Sequence, residues 1–314
     1  MRAVVFGCTG QDGSLLSASL LKQGNEVVGV SRSSKPTLTT HYALGIADSI
    51  TYVTADLCNF SEIHELLTRY RPDEVYNLAA QSSVGLSFLE PSSTFHSIIN
   101  GTINLLEVVR ISELPLRMFF AGSSEAYGNG PLPITLSAHR QPMSPYAIAK
   151  DAAFNVVKFY REAYGLQCVT GVLFNHESPY RSATFVTRKI IDGALSCAAD
   201  ADFRLQLGNL EVARDWGWAS EFVEAMQLLL RAESLADQLI CTGRMVSLEY
   251  FVEQSFARVG LNWTHHVELQ PSLLRPTDIP QSVGDSKPMA LHTGWRASKD
   301  VDAVIDTLLD ASRG

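Results

Sequence analysis

The 314-residue chain lacks the features that would tie it to a metal, a membrane or a nucleic acid. Its five cysteines (Cys8, Cys58, Cys168, Cys197 and Cys241) are scattered and odd in number. With no CxxC pair and no Cys/His ligand spacing, they suggest neither a disulfide framework nor a zinc site. His265 and His266 are adjacent, so on a strand they would point to opposite faces, and no acidic or thiol cluster accompanies them. No segment holds the roughly eighteen uninterrupted apolar residues of a membrane span. MRAVVFG at the start reads as a strand and not as a leader, so a cytoplasmic chain is expected. A basic excess is missing too. The net charge of −8 argues against a nonspecific hold on nucleic acid or anionic lipid, while a polyanionic small molecule can still sit in a local cationic pocket. No internal repeat or low-complexity segment appears.

What is present is a rhythm. AVVFG, EVVGV, ITYVTADL and EVYNLAA are short β-branched runs, separated by helical stretches at Ser14 to Gln23 and about Ser61 to Tyr70. RMFFAGSS follows a helical stretch around Ile98 to Arg110, and QCVTGVLFN follows a helix through Lys150 to Tyr164. Alternation of this kind predicts a doubly wound α/β fold of Rossmann type, a parallel sheet covered on both faces with ligands beyond the carboxyl ends of its strands. After Asn175 the rhythm breaks into loops, a helix near Phe185 to Ala194, a strand-like FRLQLG and proline-bearing segments. Residues 1–174 are therefore expected to bind a dinucleotide and carry the catalytic groups. Residues 175–314 are expected to form mainly a smaller substrate lobe, with some segments returning to the first domain.

Gly7, Gly10 and Gly13 in GCTGQDG stand directly after the first strand and before the first helix. Backbone without side chains can approach a pyrophosphate, which then rests on the amides of the helix N-terminus; Thr9, Gln11 and Asp12 share this turn. The GxxGxxG spacing points to the short-chain dehydrogenase branch. An NAD site would place an acid at the end of the second strand, but that strand ends in VSRSS. Arg32 and Ser33 suit a 2′-phosphate, so NADP is the expected cofactor, the alternative being a solvated loop arginine. Asp56 and Leu57 end the third strand, and Leu78, Ala79, Ala80, Gln81 and Ser82 end the fourth, on the rim where adenine and ribose would lie. Asp56 is expected to meet the adenine amino group or to cap the following helix.

YAIAK puts Tyr146 and Lys150 one above the other on a helical face. The ammonium is expected to lower the phenol's pKa, making a tyrosinate base, and to hold the nicotinamide ribose. GSSEAYG ends the fifth strand, where Ser123 can bond the substrate hydroxyl that Tyr146 deprotonates. Glu125 is the more informative residue. Alcohol oxidation needs serine, tyrosine and lysine, whereas a carboxylate at the same sugar ring supplies a second acid/base; the alternative is a rim residue paired to a lysine. Trp216, Trp218 and Phe222 can stack on a base or form core.

Longer strings carry a resemblance. GCTGQDGS, NLAAQSSVGLSF, FNHESPYRSATFVTRKI, LGNLEVARDWGWASEFVEAM and RPTDIPQSVGDSKPMALHTGW together resemble the GDP-mannose 4,6-dehydratase family nearly end to end. The resemblance implies catalytic roles for Ser123, Glu125, Tyr146 and Lys150. It also implies cofactor contacts for His176 and Arg181, and a sugar-nucleotide side made of Ser83, Ser124, Asn175, Lys189, Arg214, Arg275 and Asp278. Arginines suit a pyrophosphate because each grips it with two donors. The implied reaction is C4 oxidation, loss of water across C5 and C6, and return of hydride to C6. An epimerase or 4-keto reductase on the same scaffold, and more remotely a noncatalytic NADP sensor, are the alternatives.

The chain also departs from the family pattern. The stretch after Arg32 is short and reads SRSS where two arginines usually stand, which favours a homodimer built on the Tyr146 helix over a tetramer. Leu136, Met143, Tyr180 and Trp218 replace a glutamate, an arginine, an arginine and a histidine around the sugar or nucleotide pocket, so a relative of GDP-mannose is the alternative substrate.

Overall fold

The computed structural model describes residues 1–313. Six strands lead the chain through its first half: β1 (Arg2–Phe6), β2 (Glu26–Ser31), β3 (Ile50–Thr54), β4 (Glu74–Asn77), β5 (Arg117–Ser123) and β6 (Cys168–Leu173). Seven more follow, all but β9 only two or three residues long: β7 (Asn175–Glu177), β8 (Leu205–Leu207), β9 (Ala213–Trp218), β10 (Gln238–Ile240), β11 (Met245–Ser247), β12 (Val267–Leu269) and β13 (Gln281–Ser282). The large sheet runs β10-β6-β5-β4-β1-β2-β3, every neighbour parallel. Strand order reverses between β1 and β4, which opens a crevice at their carboxyl ends.

Alternation along the strands explains why both faces are covered. Val5, Val27, Tyr76, Phe119 and Val169 pack on one side against Leu16 and Leu20 of helix Gln11–Lys22 and Phe222, Met226 and Leu229 of helix Ala219–Arg231. Val4, Val28, Val75, Met118 and Phe120 pack on the other against Ile63 and Leu67 of helix Phe60–Tyr70, Leu105 and Leu106 of helix Gly101–Ile111, and Val157 of helix Pro145–Tyr164. Each fully buried leucine or valine here contributes roughly 1.5–3 kcal/mol by leaving water. The fold is the expected doubly wound α/β sheet of Rossmann type.

Several local expectations are corrected. The first helix begins at Gln11, inside the glycine-rich string, because Gly10 already serves as its N-cap. The stretch through Ile98 is three pieces, a helix at Pro91–Phe95, a π-turn at His96–Asn100 and the helix from Gly101. Asp56 does not cap the helix after β3. Asn59 does, accepting from Ser61 N and Glu62 N, while Asp56 accepts from Cys58 N at 2.9 Å.

After residue 174 the chain crosses between layers. β10 completes the large sheet and helix Ala219–Arg231 covers one of its faces, whereas β9 lies between β11 and β13 and pairs with β7 further along its length. A separate core joins Ile190 and Ile191, Leu205 and Leu207, Phe251 and Phe256, and Ile305 and Leu308. Asp215, fully buried in β9, holds the turn after β10 by accepting from Thr242 N (2.8 Å), Thr242 Oγ1 (2.7 Å) and Gly243 N (2.9 Å). Trp216 and Phe222 are buried core, Trp216 against Phe251 and Phe222 against Trp295.

Candidate active site

A cleft of about 1080 Å³ follows the carboxyl ends of β1, β4, β5 and β6 and continues under β7 and β9. It is lined by every residue given a catalytic, cofactor or substrate contact above, from Gly7 through Asp278, and by Tyr180, whereas Leu136, Met143 and Trp218, expected around the same pocket, do not line it.

At one end lies the glycine turn. Gly7 has φ +77°, and a Cβ there would come within 2.9 Å of Ala79 backbone; a Cβ on Gly13 would lie 2.1 Å from Gly7 O. These two glycines let the turn fold tightly against β4 and the helix start. Gly10 is different: an added Cβ would meet only Gly7 O, at 3.4 Å, and no side chain caps the helix it opens. Uncapped amides at a helix N-terminus facing a cleft are a ready anion site, and they fit a dinucleotide pyrophosphate. Arg32 is exposed on the same wall and pairs with no carboxylate among the described residues. No acid ends β2; Ser31 Oγ instead accepts from Ser33 N at 3.2 Å.

The middle holds the four expected catalytic residues. Ser144 caps helix Pro145–Tyr164, accepting from Ala147 N at 3.1 Å, and Pro145 occupies its first turn, so Ser-Pro-Tyr places Tyr146 at the start of the helix facing β5. Ser123 ends β5 and accepts from Glu125 N at 3.3 Å, which folds the chain into the short 3₁₀ turn that carries Glu125. Lys150 Nζ donates to Ala121 O at 2.8 Å and stands 5.8 Å from the centre of the Tyr146 ring.

Electrostatics correct one expectation. Burial pushes the Tyr146 phenol up to about 12, against a hydrogen bond from Ser123 that pulls it down. Burial likewise lowers the Lys150 ammonium to about 8. The lysine therefore does not depress the phenol in the protein alone, because both groups are desolvated together and Nζ is bonded to a carbonyl. Glu125 is raised by burial, with the charges of Arg214 and Arg275 opposing the rise.

The far end is cationic. Arg214 on β9 is buried and its Nη2 lies 3.1 Å from Asp278 Oδ1, which Arg275 Nη1 also approaches at 3.7 Å. Lys189, Asn175 and Ser124 line the same stretch. Ser83 caps helix Val84–Leu89, accepting from Leu86 N at 3.2 Å. Arg181 packs over Phe185 at 3.8 Å, and its Nε lies 3.4 Å from Glu177 Oε2, whose buried carboxylate also accepts from Thr187 Oγ1. Among lining residues that sequence reasoning missed are Asn209, Leu273 and Leu274. Their signal was slight, a GN pair and two leucines ahead of Arg275-Pro276.

The arrangement is a groove with the open amides of the first helix at one end, Arg214 and Arg275 at the other, and Ser123, Glu125, Tyr146 and Lys150 between them. The family model described as GDP-mannose 4,6 dehydratase matches residues 4–308. GDP-mannose 4,6 dehydratase 1 of Arabidopsis thaliana is 38% identical over 319 residues, covering 98% of this chain and 88% of that protein. Two solved structures share the fold over the whole chain and 99% of their own. UDP-glucose 4-epimerase of Thermus thermophilus in complex with NAD has a TM-score of 0.87 at 24% identity. RMD from Pseudomonas aeruginosa complexed with NADPH has a TM-score of 0.82 at 22% identity.

Proposed function

The chain belongs to the GDP-mannose 4,6-dehydratase family, and from that premise we propose that it converts GDP-mannose to GDP-4-keto-6-deoxymannose with NADP as resident cofactor. It is a sugar-nucleotide 4,6-dehydratase, a hydro-lyase of the extended short-chain dehydrogenase type that works with a nicotinamide cofactor. The observation that carries the dehydratase reading is Glu125, a half-buried carboxyl lining the cleft with Ser123 and Tyr146 and within reach of the charges of Arg214 and Arg275.

In this reading the turn at Gly7 to Gly13 and the open amides of the first helix hold the pyrophosphate, and Lys150 the nicotinamide ribose. The chemistry that a bound nicotinamide would supply is reversible hydride transfer, out of C4 and back to C6. Tyr146 removes the proton of the C4 hydroxyl, which Ser123 orients. The resulting ketone acidifies C5–H, Glu125 takes that proton, and the same carboxyl delivers it to the C6 hydroxyl as water departs. The proton that C5 regains at the end of the cycle is balanced by the one Tyr146 took from the C4 hydroxyl, whose release leaves Tyr146 ready for the next turnover. Arg214, Arg275, Lys189, Asn175 and Asp278 hold the nucleotide, and Ser83 and Ser124 the sugar. A 4-keto reductase has no use for a C5 base, so the Glu125 position favours dehydration over simple reduction.

The direct test is incubation with GDP-mannose and NADP⁺. Product lighter by one water, with no net reduction of cofactor, supports the assignment. Unchanged mass with inverted stereochemistry overturns it in favour of epimerisation, and no turnover of GDP-mannose overturns the substrate.

Arg32 supports NADP because its guanidinium is exposed at the cleft wall beside the end of β2. Arg32→Ala is expected to weaken NADP⁺ about 10- to 100-fold, the worth of one charge-assisted contact. NAD⁺ affinity should stay the same. Equal loss for both cofactors, measured by fluorescence titration, contradicts the role.

The domain division extends the same reading: residues 1–174 bind the cofactor and carry the catalysis, and the later part mainly holds the sugar nucleotide. No helix among the described residues is long and apolar enough to cross a membrane, and we assign the enzyme to the cytoplasm. We also propose a homodimer. Ile148 and Phe159, eleven residues apart and hence on one face of helix Pro145–Tyr164, are 45% and 54% exposed, and Leu89, the last residue of helix Val84–Leu89, is 79% exposed. Light scattering should give twice the chain mass, and Ile148→Glu with Phe159→Glu should halve it; a monomeric wild type contradicts the proposal.

A further inference from the structure

His176 is a buried ring whose two nitrogens both meet acceptors. Nδ1 lies 2.6 Å from Phe174 O, and Nε2 lies 3.0 Å from each oxygen of Asp12. A carbonyl has no proton to offer. Nor does Asp12: burial alone would raise its carboxyl, but the charge and hydrogen bond of His176 outweigh that and hold it at about 2. A neutral imidazole carries one N–H, so it would aim a lone pair at one of these oxygens in a place only 6% exposed. Both nitrogens must carry protons. Phe222 stacks on the ring at 4.5 Å, so its cationic face is packed on an aromatic ring.

The pair joins two parts of the cleft that are 164 residues apart in sequence. Asp12 lies in the first turn of helix Gln11–Lys22, next to the open amides. His176 lies in β7 beside Asn175, and Asn175 is registered against Trp216 of β9, two residues beyond Arg214. Gln11 reinforces the junction: its Nε2 donates to His176 O at 3.2 Å, and its Oε1 accepts from Ser178 Oγ at 2.8 Å. The cofactor turn and the strand that leads to the arginines are thus fastened at one point.

We propose that Asp12 and an imidazolium at His176 form a positioning clasp that fixes the cofactor turn against the strands bearing the sugar-nucleotide groups. The proposal rests on the dehydratase reading only where turnover is measured. Cutting the clasp loosens the cofactor turn, which weakens the hold on the cofactor, and lets the two surfaces shift against each other; misplacement of about 1 Å costs about 100-fold in a positioned reaction. Loss should therefore fall on kcat more than on substrate KM.

Its pH dependence follows from the groups that face it. Asp12 faces His176 from the first helix, Arg181 approaches both from the loop after β7, and Asp12 is felt by Tyr146 and Lys150 on helix Pro145–Tyr164. Burial alone would lower His176, but the Asp12 charge and hydrogen bond outweigh it and raise His176 above 6.5. Stability from His176 is therefore complete below 6.5 and lost as pH rises through the raised value. Stability from Asp12 is present above 3.8 and lost as pH falls toward 2. The clasp is strongest between the two and opens on the alkaline side.

The test uses the full chain labelled with ¹⁵N-histidine, the His176 signals being assigned by their loss in His176→Gln. At about pH 7.5, where a free histidine is neutral, the wild type should show both ring nitrogens protonated. Asp12→Asn should return His176 to the neutral form, weaken NADP⁺ about tenfold, and lower kcat about 10- to 100-fold with KM changed less than about threefold, and Asp12→Glu should recover part of this. A neutral His176 in the wild type overturns the proposal. So does an Asp12→Asn protein with native melting temperature and unchanged cofactor affinity. If GDP-mannose is not turned over, the resonance and cofactor measurements still decide the clasp, and the failure belongs to the substrate assignment.

Discussion

Glu125→Gln should oxidise the sugar at C4 and then stall. The glutamine amide fills the same half-buried place without a basic oxygen, so Tyr146 and Ser123 still act, while C5–H has no acceptor and the C6 hydroxyl no acid. Removing a positioned acid/base typically costs about 10²- to 10⁴-fold. The variant should lose dehydration by that factor while absorbance from reduced cofactor accumulates toward one equivalent per site. The wild type should also show an acidic limb in kcat/KM above the ordinary carboxylate range, because burial raises Glu125 and the base must be ionised to act. That limb should vanish in Glu125→Gln. Normal water loss by the variant would remove Glu125 from the mechanism.

Tyr146→Phe should instead stop the cycle before oxidation. The ring is 8% exposed and packs with Ile98 and Ala149, contacts that phenylalanine keeps, so the fold and melting temperature should be retained. What disappears is the oxygen that takes the C4 hydroxyl proton, and turnover should fall about 10³-fold with no build-up of reduced cofactor. The two variants separate by that signal, present with Glu125→Gln and absent with Tyr146→Phe. Turnover by Tyr146→Phe at the wild-type rate would show that another group removes the first proton. The phenol's position at about 12 in the protein alone adds a requirement: a positive charge must reach it before it can serve as a base near neutrality. Lys150, with its ammonium now bonded to Ala121 O, is the cation on its own helix.

The site was legible wherever chemistry is written locally. Gly7 and Gly13 announce a turn that tolerates no Cβ, Ser144-Pro145 starts a helix, and YxxxK stacks two groups on one face, all within a few residues. The six leading strands were legible for the same reason, since parallel strands buried on both faces read as apolar runs. What could not be read depends on distant partners. β10 is three residues long, too short for any periodic signal, yet it completes the large sheet. Asp215 stands beside Arg214 in RDWG, and nothing local says that its carboxylate holds the turn at Thr242 and Gly243. The reversed shift of Tyr146 comes from burial, which four letters of spacing do not carry. Asp12 and His176 were each placed near the cofactor, but that they meet is a property of the fold alone.

The central claim is that one hydride leaves C4 and returns within the same sugar to C6. Turnover of GDP-mannose carrying deuterium at C4 tests it most directly, with the product analysed by mass and proton NMR. An internal hydride return gives loss of one water and deuterium at C6, with none in the cofactor after the cycle. Deuterium retained at C4 of an inverted sugar, or lost to added cofactor, would contradict it.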